Sequence, residues 1–425
     1  MVRAAIEHLP TVVPGADVAG AVLLGGGEKL AGTLDVGLPV VDGPTPVEAL
    51  TAGLSRFRPE LVFDLSDEPV IDARLRLRLA SLALLAGVPY QGADFRLDPP
   101  PRPRVATKPT IAVIGTGKRT GKTAVSAHLA RTLDEPPVVV AMGRGGPPEP
   151  ELIDPSTFDL SARGLVALAE RGRHAASDHL EDALTAGVVT IGTRRCGGGL
   201  AGAPVDSTFA AGVELANTRP ENLIVLEGSG SAVPPVHADV TVCVVPATAD
   251  PELIGGYLGA YRLLLADLIV VTMAEHGAGP VLETIRGLAP GTKIVETVLR
   301  PTPLEPVAGR RVFYVTTAPE TAGVTLVDHL QTAHGATVTG TSHNLARRHL
   351  LAQDLERIGG ADVVLVELKA AGVDVVARAA LERGLDVVFC DNRVVTNGGD
   401  GTFENLVHQA AGLAEKRFRT GIEVP

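Results

Sequence analysis

The segment IAVIGTGKRTGKTAVSAHLARTL, residues 111–133, decides the fold. It joins an apolar run to a glycine-rich turn that ends in Gly-Lys-Thr, and an Ala/Leu-rich stretch of helical character follows. The backbone N–H groups of such a turn, together with the N-terminus of the next helix, form an anion site. The segment therefore predicts a strand, a phosphate-binding loop and a helix, which is the beginning of a nucleotide-binding α/β domain.

The loop itself, GTGKRTGKT, is predicted to hold ATP. Its predicted contacts are Gly115, Thr116, Gly117, Lys118, Arg119, Thr120, Gly121, Lys122 and Thr123. Lys122 is expected to reach the β- and γ-phosphates, and the Thr123 hydroxyl is expected to bind Mg²⁺. Thr116 stands where the strict P-loop pattern has glycine, and the loop resembles that of dethiobiotin synthetase in the SIMIBI class of P-loop proteins.

Composition and charge exclude several classes of partner. The net charge of -11 argues against nucleic acid as the main ligand. The three cysteines form no CxxC pair, which favours reduced thiols in the cytoplasm over a disulfide framework. The most apolar stretch, Tyr257–Met273, is interrupted by Arg262 and Asp267, so no membrane span is expected.

The chain is long enough for more than one domain. Its 425 residues exceed the ~250–300 at which single cores stop growing. Short Val/Leu/Ile runs alternate with helical stretches, which predicts an α/β fold with a doubly wound, mostly parallel sheet. The predicted strands include Thr110–Gly115, Leu268–Thr272, Val363–Glu367 and Asp386–Cys390. We predict an N-terminal Rossmann-like α/β domain at 1–100, a Pro-rich linker at 101–109, and a P-loop ATP-binding domain at 110–300. Residues 301–425 are either a separate α/β domain or a continuation of the core.

Two segments are predicted to supply metal ligands. Glu227 follows the predicted strand Asn222–Leu226, and a carboxylate at the carboxyl end of a strand in such a sheet lies beside the ligand crevice. We therefore predict Glu227 as a Mg²⁺ ligand and a catalytic residue, although a solvated turn is the alternative. The segment MGRGGPPEPE supplies Arg144 as a catalytic cation and Glu149 or Glu151 as a second metal contact.

Two polar segments are predicted to bind anions or transfer protons. Arg194 and Arg195 are expected on a loop after the strand Val188–Gly192, where their guanidinium groups match phosphate oxygens; a solvated loop is the alternative. The segment HAASDHLED is predicted as a helix with His174, Asp178 and Asp182 on one face. We predict Asp178 and His179 as catalytic acid–base residues, with an exposed charged helix as an equal alternative.

Further substrate contacts are predicted outside the P-loop domain. The first block offers Lys29 in GGGEK, and Ser66 and Asp67 in DLSDEP. The C-terminal part offers Arg347 and Lys369; Lys369 shares a face with Glu367 if their strand continues. Solvated loops, or a structural ion pair between Glu367 and Lys369, are the alternatives.

Taken together, these strings resemble the cyclic 2,3-diphosphoglycerate synthetase family over nearly the whole chain. The resemblance rests on strings that include GGGEKL at 25–30, GTGKRTGKT at 115–123, TRRCGGG at 193–199, LEGSGSAVPPV at 226–236 and TSHNLARR at 341–348. It implies a Mg²⁺-dependent synthetase that uses ATP to close 2,3-bisphosphoglycerate into a cyclic anhydride, releasing ADP and phosphate. A homodimer is common in the wider superfamily.

Three other functions stay open at this point. The same phosphoryl-transfer core would also activate a different anionic metabolite. A non-enzymatic nucleotide switch, like the chromosome-partitioning ATPases, is a second alternative, but those proteins carry a signature lysine where this chain has Gly117. A protein that binds ATP without turnover is the third, and Lys122, Thr123 and Glu227 argue against it.

Overall fold

The computed structural model of the chain describes residues 2–25 and 36–421. Strands and helices alternate along it, with a 3-10 turn at Glu320–Ala322 and a π-helix at Gly372–Ala377. The strands are β1 (Ala21–Val22), β2 (Val40–Val41), β3 (Val62–Phe63), β4 (Tyr90–Gln91), β5 (Arg96–Leu97), β6 (Thr110–Gly115), β7 (Val138–Gly143), β8 (Glu151–Ile153), β9 (Thr190–Cys196), β10 (Asp206–Ser207), β11 (Ile224–Glu227), β12 (Val240–Pro246), β13 (Leu268–Thr272), β14 (Lys293–Pro303), β15 (Arg311–Val315), β16 (Thr337–Ser342), β17 (Val363–Glu367) and β18 (Asp386–Gly399). The helices are α1 (Val2–Val12), α2 (Pro46–Phe57), α3 (Ala73–Leu85), α4 (Lys122–Thr132), α5 (Ala162–Glu170), α6 (Asp178–Ala186), α7 (Phe209–Asn217), α8 (Pro251–Gly255), α9 (Gly259–Leu265), α10 (Gly279–Leu288), α11 (Gly323–His334), α12 (Arg348–Leu355), α13 (Arg378–Glu382) and α14 (Phe403–Thr420).

A large, mostly parallel sheet organises the fold, which confirms the predicted α/β class. Within the described residues it has 13 strands in the order β10-β9-β7-β11-β6-β12-β13-β14-β18-β17-β15-β16, and β8 pairs with β9. Its antiparallel pairs are β10 with β9, β8 with β9, and β14 with β18.

Helices cover both faces of this sheet. Ala112 and Ile114 of β6 belong to a core with residues of α7 and α9. Ile111 and Val113 of the same strand belong to a core with residues of α4 and α14. A strand buried on both faces needs apolar side chains at every position, which explains the continuous Val/Ile/Leu runs in the sequence.

The C-terminal strands extend the same sheet across residue 300. The long strand β14, which no sequence pattern predicted, pairs antiparallel with β18. The sequence predicted Asp386–Cys390 as a strand, and β18 continues from there to Gly399 because it follows β14. Helix α14 then returns to pack against β6 and β12. The two parts of the chain therefore share one sheet, and the domain limits stay a prediction.

The strand order reverses in the C-terminal part. The chain passes from β15 to its neighbour β16, and then back across β15 to β17. The connecting helices lie on opposite faces: α11 packs on the face that carries Tyr314, and α12 packs on the face that carries Val366. Such a reversal leaves a crevice outside the carboxyl ends of the two strands, here β15 and β17.

The N-terminal part forms two small sheets. Strands β1 and β2 are parallel, while β3, β4 and β5 form a three-stranded sheet. Helix α3 docks this part on the P-loop domain: it packs against α9, and Arg74 pairs with Glu252 at 2.7 Å. No helix in the described part of the chain has the length and apolar character to cross a membrane.

Candidate active site

The predicted phosphate loop joins β6 to α4. Strand β6 ends at Gly115 and α4 begins at Lys122, as the sequence predicted. Gly121 has φ of 84°, in the left-handed region that favours glycine. The loop is fixed from the neighbouring strand β13, whose Thr272 hydroxyl donates to the Thr120 carbonyl at 2.7 Å. Lys118 and Arg119 are exposed.

Lys122, Thr123 and Glu227 meet at the head of this loop. The Lys122 ammonium donates to Glu227 Oε1 at 2.7 Å, and the Thr123 hydroxyl donates to the same oxygen at 3.0 Å. Glu227 is the last residue of β11, beside β6 in the sheet, and only 1% of it is exposed. Burial lowers the pKa of Lys122, but the charges of Glu227 and Asp178 outweigh that effect and raise it. The lysine is therefore held charged against a buried carboxylate.

Asp182, which the sequence predicted on the same helical face as Asp178, lies against Glu227. It is fully buried in α6, and burial followed by the charge of Glu227 raises its pKa well above the usual value. Burial is the largest influence on the pKa of Glu227 and acts to raise it, but the charge of Lys122 and the hydrogen bonds that Glu227 accepts together lower it. The carboxyl groups of Asp182 and Glu227 interact directly, and within the described residues no other side chain or backbone N–H donates to Glu227 Oε2 or to either Asp182 oxygen.

These oxygen atoms are of the type that magnesium prefers, since it binds carboxylate and hydroxyl oxygens. They are Glu227 Oε2 and both oxygens of Asp182, and the other Glu227 oxygen accepts from the Thr123 hydroxyl. Among the described residues, no group of three or more His, Cys, Asp or Glu side chains is placed to hold a metal ion, so two carboxylates and one hydroxyl are the oxygen ligands available here. The spacing of Asp178 and Asp182 in the sequence was the available signal for this arrangement. The spacing did not indicate which strand this face of the helix would contact.

Helix α6 also reaches a second lysine. Glu181 accepts from the Lys369 ammonium at 3.0 Å, and Lys369 comes from the turn after β17. Burial raises the pKa of Glu181 to about 8 even though Lys369 opposes that shift. Because β17 ends at Glu367, the strand does not continue to Lys369, and the condition for the predicted shared face of Glu367 and Lys369 is not met. Glu367 instead accepts hydrogen bonds from the loop that follows β15.

The two predicted arginines lie in a strand and not in a loop. Strand β9 runs to Cys196, so Arg194 and Arg195 point to opposite faces. Arg195 is buried beside the segment after Glu227 and donates to the Ser229 carbonyl at 3.0 Å. Burial, followed by the charge of Arg144, lowers the pKa of Arg195, so these two cations are neighbours. Arg194 is exposed and donates from Nε to the Gly146 carbonyl at 2.9 Å, which holds the loop that carries Arg144.

The prediction that His174 shares a helical face with Asp178 and Asp182 is wrong. Helix α6 begins only at Asp178, and the exposed His174 precedes the helix. His179 is buried, and its Nε2 lies 3.5 Å from Glu151 Oε2; Arg173 pairs with the same carboxylate. Glu151 is therefore occupied by two basic side chains, and Glu149 is exposed. The roles of His179 in catalysis and of Glu149 and Glu151 at the metal remain predictions that these contacts do not favour.

The pairing of Glu151 predicts a pH-dependent contribution to stability. The contact with His179, together with Arg173, lowers the Glu151 pKa to about 2 from an unfolded-state value of 4.5. A lowered carboxylate pKa stabilises the fold above the unfolded value, and this stabilisation is lost as the pH falls from 4.5 towards 2. Glu151→Gln should therefore cost about 1–2 kcal/mol at pH 7, allowing for solvent screening.

The measurement is urea unfolding at pH 7 and near pH 3. The difference between Glu151→Gln and the native chain should shrink at the lower pH. Glu149→Gln is the matched control, since Glu149 is exposed two residues away and should leave the unfolding free energy unchanged at both values. A difference for Glu151→Gln that stays constant with pH would contradict the ion-pair explanation.

Of four further predicted substrate contacts, three lie in other parts of the fold and one lies outside the described residues. Lys29 lies outside the described residues. Ser66 donates from both its backbone N–H and its hydroxyl to Asp64, and Asp67 is exposed. Arg347 is exposed just before α12. In the described part of the chain, no hydrogen bond or ion pair joins Ser66, Asp67 or Arg347 to Lys122 or Glu227.

Comparison with known proteins matches nearly the whole chain to one family. Residues 1–98 match the cyclic 2,3-diphosphoglycerate synthetase N-terminal domain, residues 110–298 match its P-loop domain, and residues 303–393 match its C-terminal domain.

Individual relatives agree with these family matches. A protein named cyclic 2,3-diphosphoglycerate synthetase from Rubrobacter xylanophilus is 46% identical, over 95% of this chain and 96% of its own length. Proteins of the same name from Thermococcus gammatolerans and Methanothermus fervidus are 48% and 40% identical, covering 94% and 97% of this chain and 94% and 93% of their own. Among solved structures, a Borrelia burgdorferi plasmid partition protein aligns with 60% of this chain and all of its own, at 12% identity and a TM-score of 0.19, which is too low to carry an argument.

Proposed function

Because the chain belongs to the cyclic 2,3-diphosphoglycerate synthetase family, we propose that it uses ATP to close 2,3-bisphosphoglycerate into cyclic 2,3-diphosphoglycerate. The observation that supports this most directly is the meeting of Lys122, Thr123 and Glu227 at the head of the phosphate loop. In this arrangement the polyphosphate of ATP takes the place beside Lys122 that the Glu227 carboxylate has in the free enzyme.

The reaction proceeds in two displacements. An oxygen of one substrate phosphate bonds to the γ-phosphorus of ATP, and the bond from that phosphorus to the β–γ bridging oxygen breaks, releasing ADP. The first substrate phosphate now carries the transferred γ-phosphoryl group. An oxygen of the other substrate phosphate then attacks the phosphorus of the first substrate phosphate, and the transferred group leaves as inorganic phosphate. Phosphate oxygens are already anionic at neutral pH, so no strong base is needed. Position and charge neutralisation supply most of the rate.

Magnesium is part of this proposal. Thr123 and Glu227 would hold the ion, and Asp182, which lies against Glu227, would add negative charge to the site. When bound, it neutralises charge that develops on the β- and γ-phosphate oxygens. Lys122 leaves Glu227 for the γ-phosphate, so the carboxylate is free to serve as a ligand.

Two neighbouring arginines are the proposed contacts for the substrate phosphates. Arg195 is buried beside the Ser229 carbonyl, and Arg144 lies close enough for its charge to lower the Arg195 pKa. The charge of Arg144 disfavours the charged form of Arg195, and the charge of Asp178 opposes that effect. A phosphate that binds both arginines also opposes the effect of Arg144, and it is recognised by forked hydrogen bonds.

The proposal also includes a cytoplasmic location and a homodimeric assembly. Cys196, Cys243 and Cys390 are free thiols in the described structure, which suits the reducing cytoplasm. We further propose a homodimer, which sedimentation analysis would test directly.

The test is phosphorus NMR of the protein incubated with ATP, Mg²⁺ and 2,3-bisphosphoglycerate. A pair of coupled pyrophosphate doublets, with one ADP and one phosphate per product, is the expected result. ADP formed only when another anionic metabolite is added would keep the ATP site and overturn the substrate. No ADP with any substrate would overturn the enzymatic function.

A further inference from the structure

Helix α6 joins two lysines that come from different parts of the chain. Asp182 lies against Glu227, the partner of Lys122, and Glu181 accepts from Lys369 at 3.0 Å. Asp178, at the start of the same helix, interacts electrostatically with both lysines. A short helix thus ties the ATP-binding lysine to a lysine supplied by the C-terminal part.

The backbone around Lys369 fixes where its side chain begins. Ala370 has φ of 49°, a conformation that residues other than glycine rarely adopt. Gly372 follows, and a Cβ there would lie 2.4 Å from the Glu367 carbonyl oxygen, so no larger residue fits without movement. The turn lies at the carboxyl end of β17, beside the crevice where the strand order reverses. The Lys369 side chain keeps 28% exposure, so an incoming ligand can reach it.

Burial acts to lower the pKa of this lysine, but the carboxylates near it, Glu181, Glu367 and Asp391, raise its pKa, and two of them also have other partners. Glu367 accepts from the hydroxyls of Thr316 and Thr317 at 2.6 and 2.7 Å, and Asp391 pairs with Arg131 at 2.8 Å. Glu181 is the direct partner of Lys369 on α6, as Glu227 is the direct partner of Lys122. The charge of Asp178 acts on both lysines and on Arg195, so it links the cations on the side that adjoins the phosphate loop.

We propose that Lys369 binds a phosphate of the bisphosphate substrate and that Glu181 is a positioning residue that holds Lys369 towards the ATP site. The substrate then lies around Asp178, with Lys122 on one side and Lys369 on the other, so the phosphate to be activated is presented to the γ-phosphate of ATP. This inference rests on the proposed function, and it gives the C-terminal part a direct role in binding substrate.

The test compares Lys369→Ala, Lys369→Arg and Glu181→Gln with the native enzyme in steady-state assays. Lys369→Ala should raise KM for 2,3-bisphosphoglycerate by roughly 10- to 100-fold, as expected for loss of a hydrogen bond between charged groups, and should change KM for ATP by less than about twofold. Lys369→Arg keeps the charge and should recover part of the loss. Glu181→Gln should raise the same KM by a smaller factor.

Calorimetric binding of 2,3-bisphosphoglycerate without ATP gives a readout independent of turnover. Native protein should bind it, and Lys369→Ala should bind it at least about tenfold more weakly, whereas Lys416→Ala, an exposed lysine on α14, should bind it as the native protein does. If Lys369→Ala has unchanged affinity and unchanged KM for 2,3-bisphosphoglycerate, this inference is overturned. The proposed function is unaffected by that result as long as the native enzyme makes the cyclic product. Equal increases in KM for ATP and for 2,3-bisphosphoglycerate in Lys369→Ala would mean that Lys369 has only a structural role, and this result would also overturn the inference. A native enzyme that makes no cyclic product would instead reject the proposed function.

Discussion

Lys122→Ala should lower kcat for ADP formation by roughly 10³-fold or more, because a cation that stabilises a transferring phosphoryl group contributes factors of about 10³–10⁵. Lys122 is the first residue of α4, and its ammonium is held 2.7 Å from Glu227 at the head of the phosphate loop. Its role is to neutralise charge on the γ-phosphate while that group moves. The measurement is coupled detection of ADP under saturating ATP and substrate.

The alanine variant also leaves Glu227 buried without its ion-pair partner, so a second variant is needed. Lys122→Gln keeps an N–H donor for Glu227 and should fold, yet it should lose activity to a similar extent. Lys416→Ala is the control for loss of a lysine as such. Native-like turnover in folded Lys122→Gln would remove Lys122 from the phosphoryl-transfer machinery.

The sequence predicted most reliably what depends on short-range constraints. Strand β6, the phosphate loop and the start of α4 have the bounds that the motif indicated. Strands β13 and β17 also match their predicted limits, because a fully buried parallel strand is a continuous apolar run that ends where polar residues begin. For these strands, the apolar composition and the final structure follow from the same requirement, which is burial on both faces of the sheet.

The errors arise where a partner strand extends an element beyond its apolar run. Strand β9 was expected to stop at Gly192 but continues through the two arginines, because β10 and the end of β7 provide backbone partners there. Its alternation then separates Arg194 from Arg195. Strand β14 escaped prediction for a related reason: its polar and proline residues are tolerated by pairing with β18.

The contacts of α6 could not be predicted from spacing alone. The pattern of acids in HAASDHLED shows that Asp178 and Asp182 share a face, but not that this face meets Glu227. Nor does it show that Glu181 meets a lysine almost two hundred residues further along the chain. These contacts depend on how α6 packs against α4 and on where the C-terminal strands join the sheet. A sequence pattern reports the face that a helix presents, and tertiary packing decides what that face touches.

Glu227→Gln should lower kcat by about 10²–10³-fold while leaving the protein folded, a range typical for losing one preorganised charge-stabilising group. In the free protein, the amide can donate to the facing Asp182 carboxyl group, and its oxygen can still accept from Lys122 and Thr123. The mutation also removes one of two buried acidic groups that face each other. We therefore expect the folded variant to require higher Mg²⁺ concentrations for activity. ADP formation is measured over a Mg²⁺ series.

The effect of substituting Asp182 determines how the loss of activity in Glu227→Gln is interpreted. If Asp182 acts through Glu227, then Asp182→Asn should lower activity, and adding it to Glu227→Gln should cost little more, because residues that form one unit are strongly non-additive. Glu415→Gln, an exposed carboxylate on α14, is the matched control and should change neither activity nor Mg²⁺ dependence. Losses that multiply in the double variant would show that the two carboxyl groups serve separate steps. Native Mg²⁺ dependence in Glu227→Gln would show that Glu227 is not a metal ligand, and its place beside Lys122 would then be explained by stability alone.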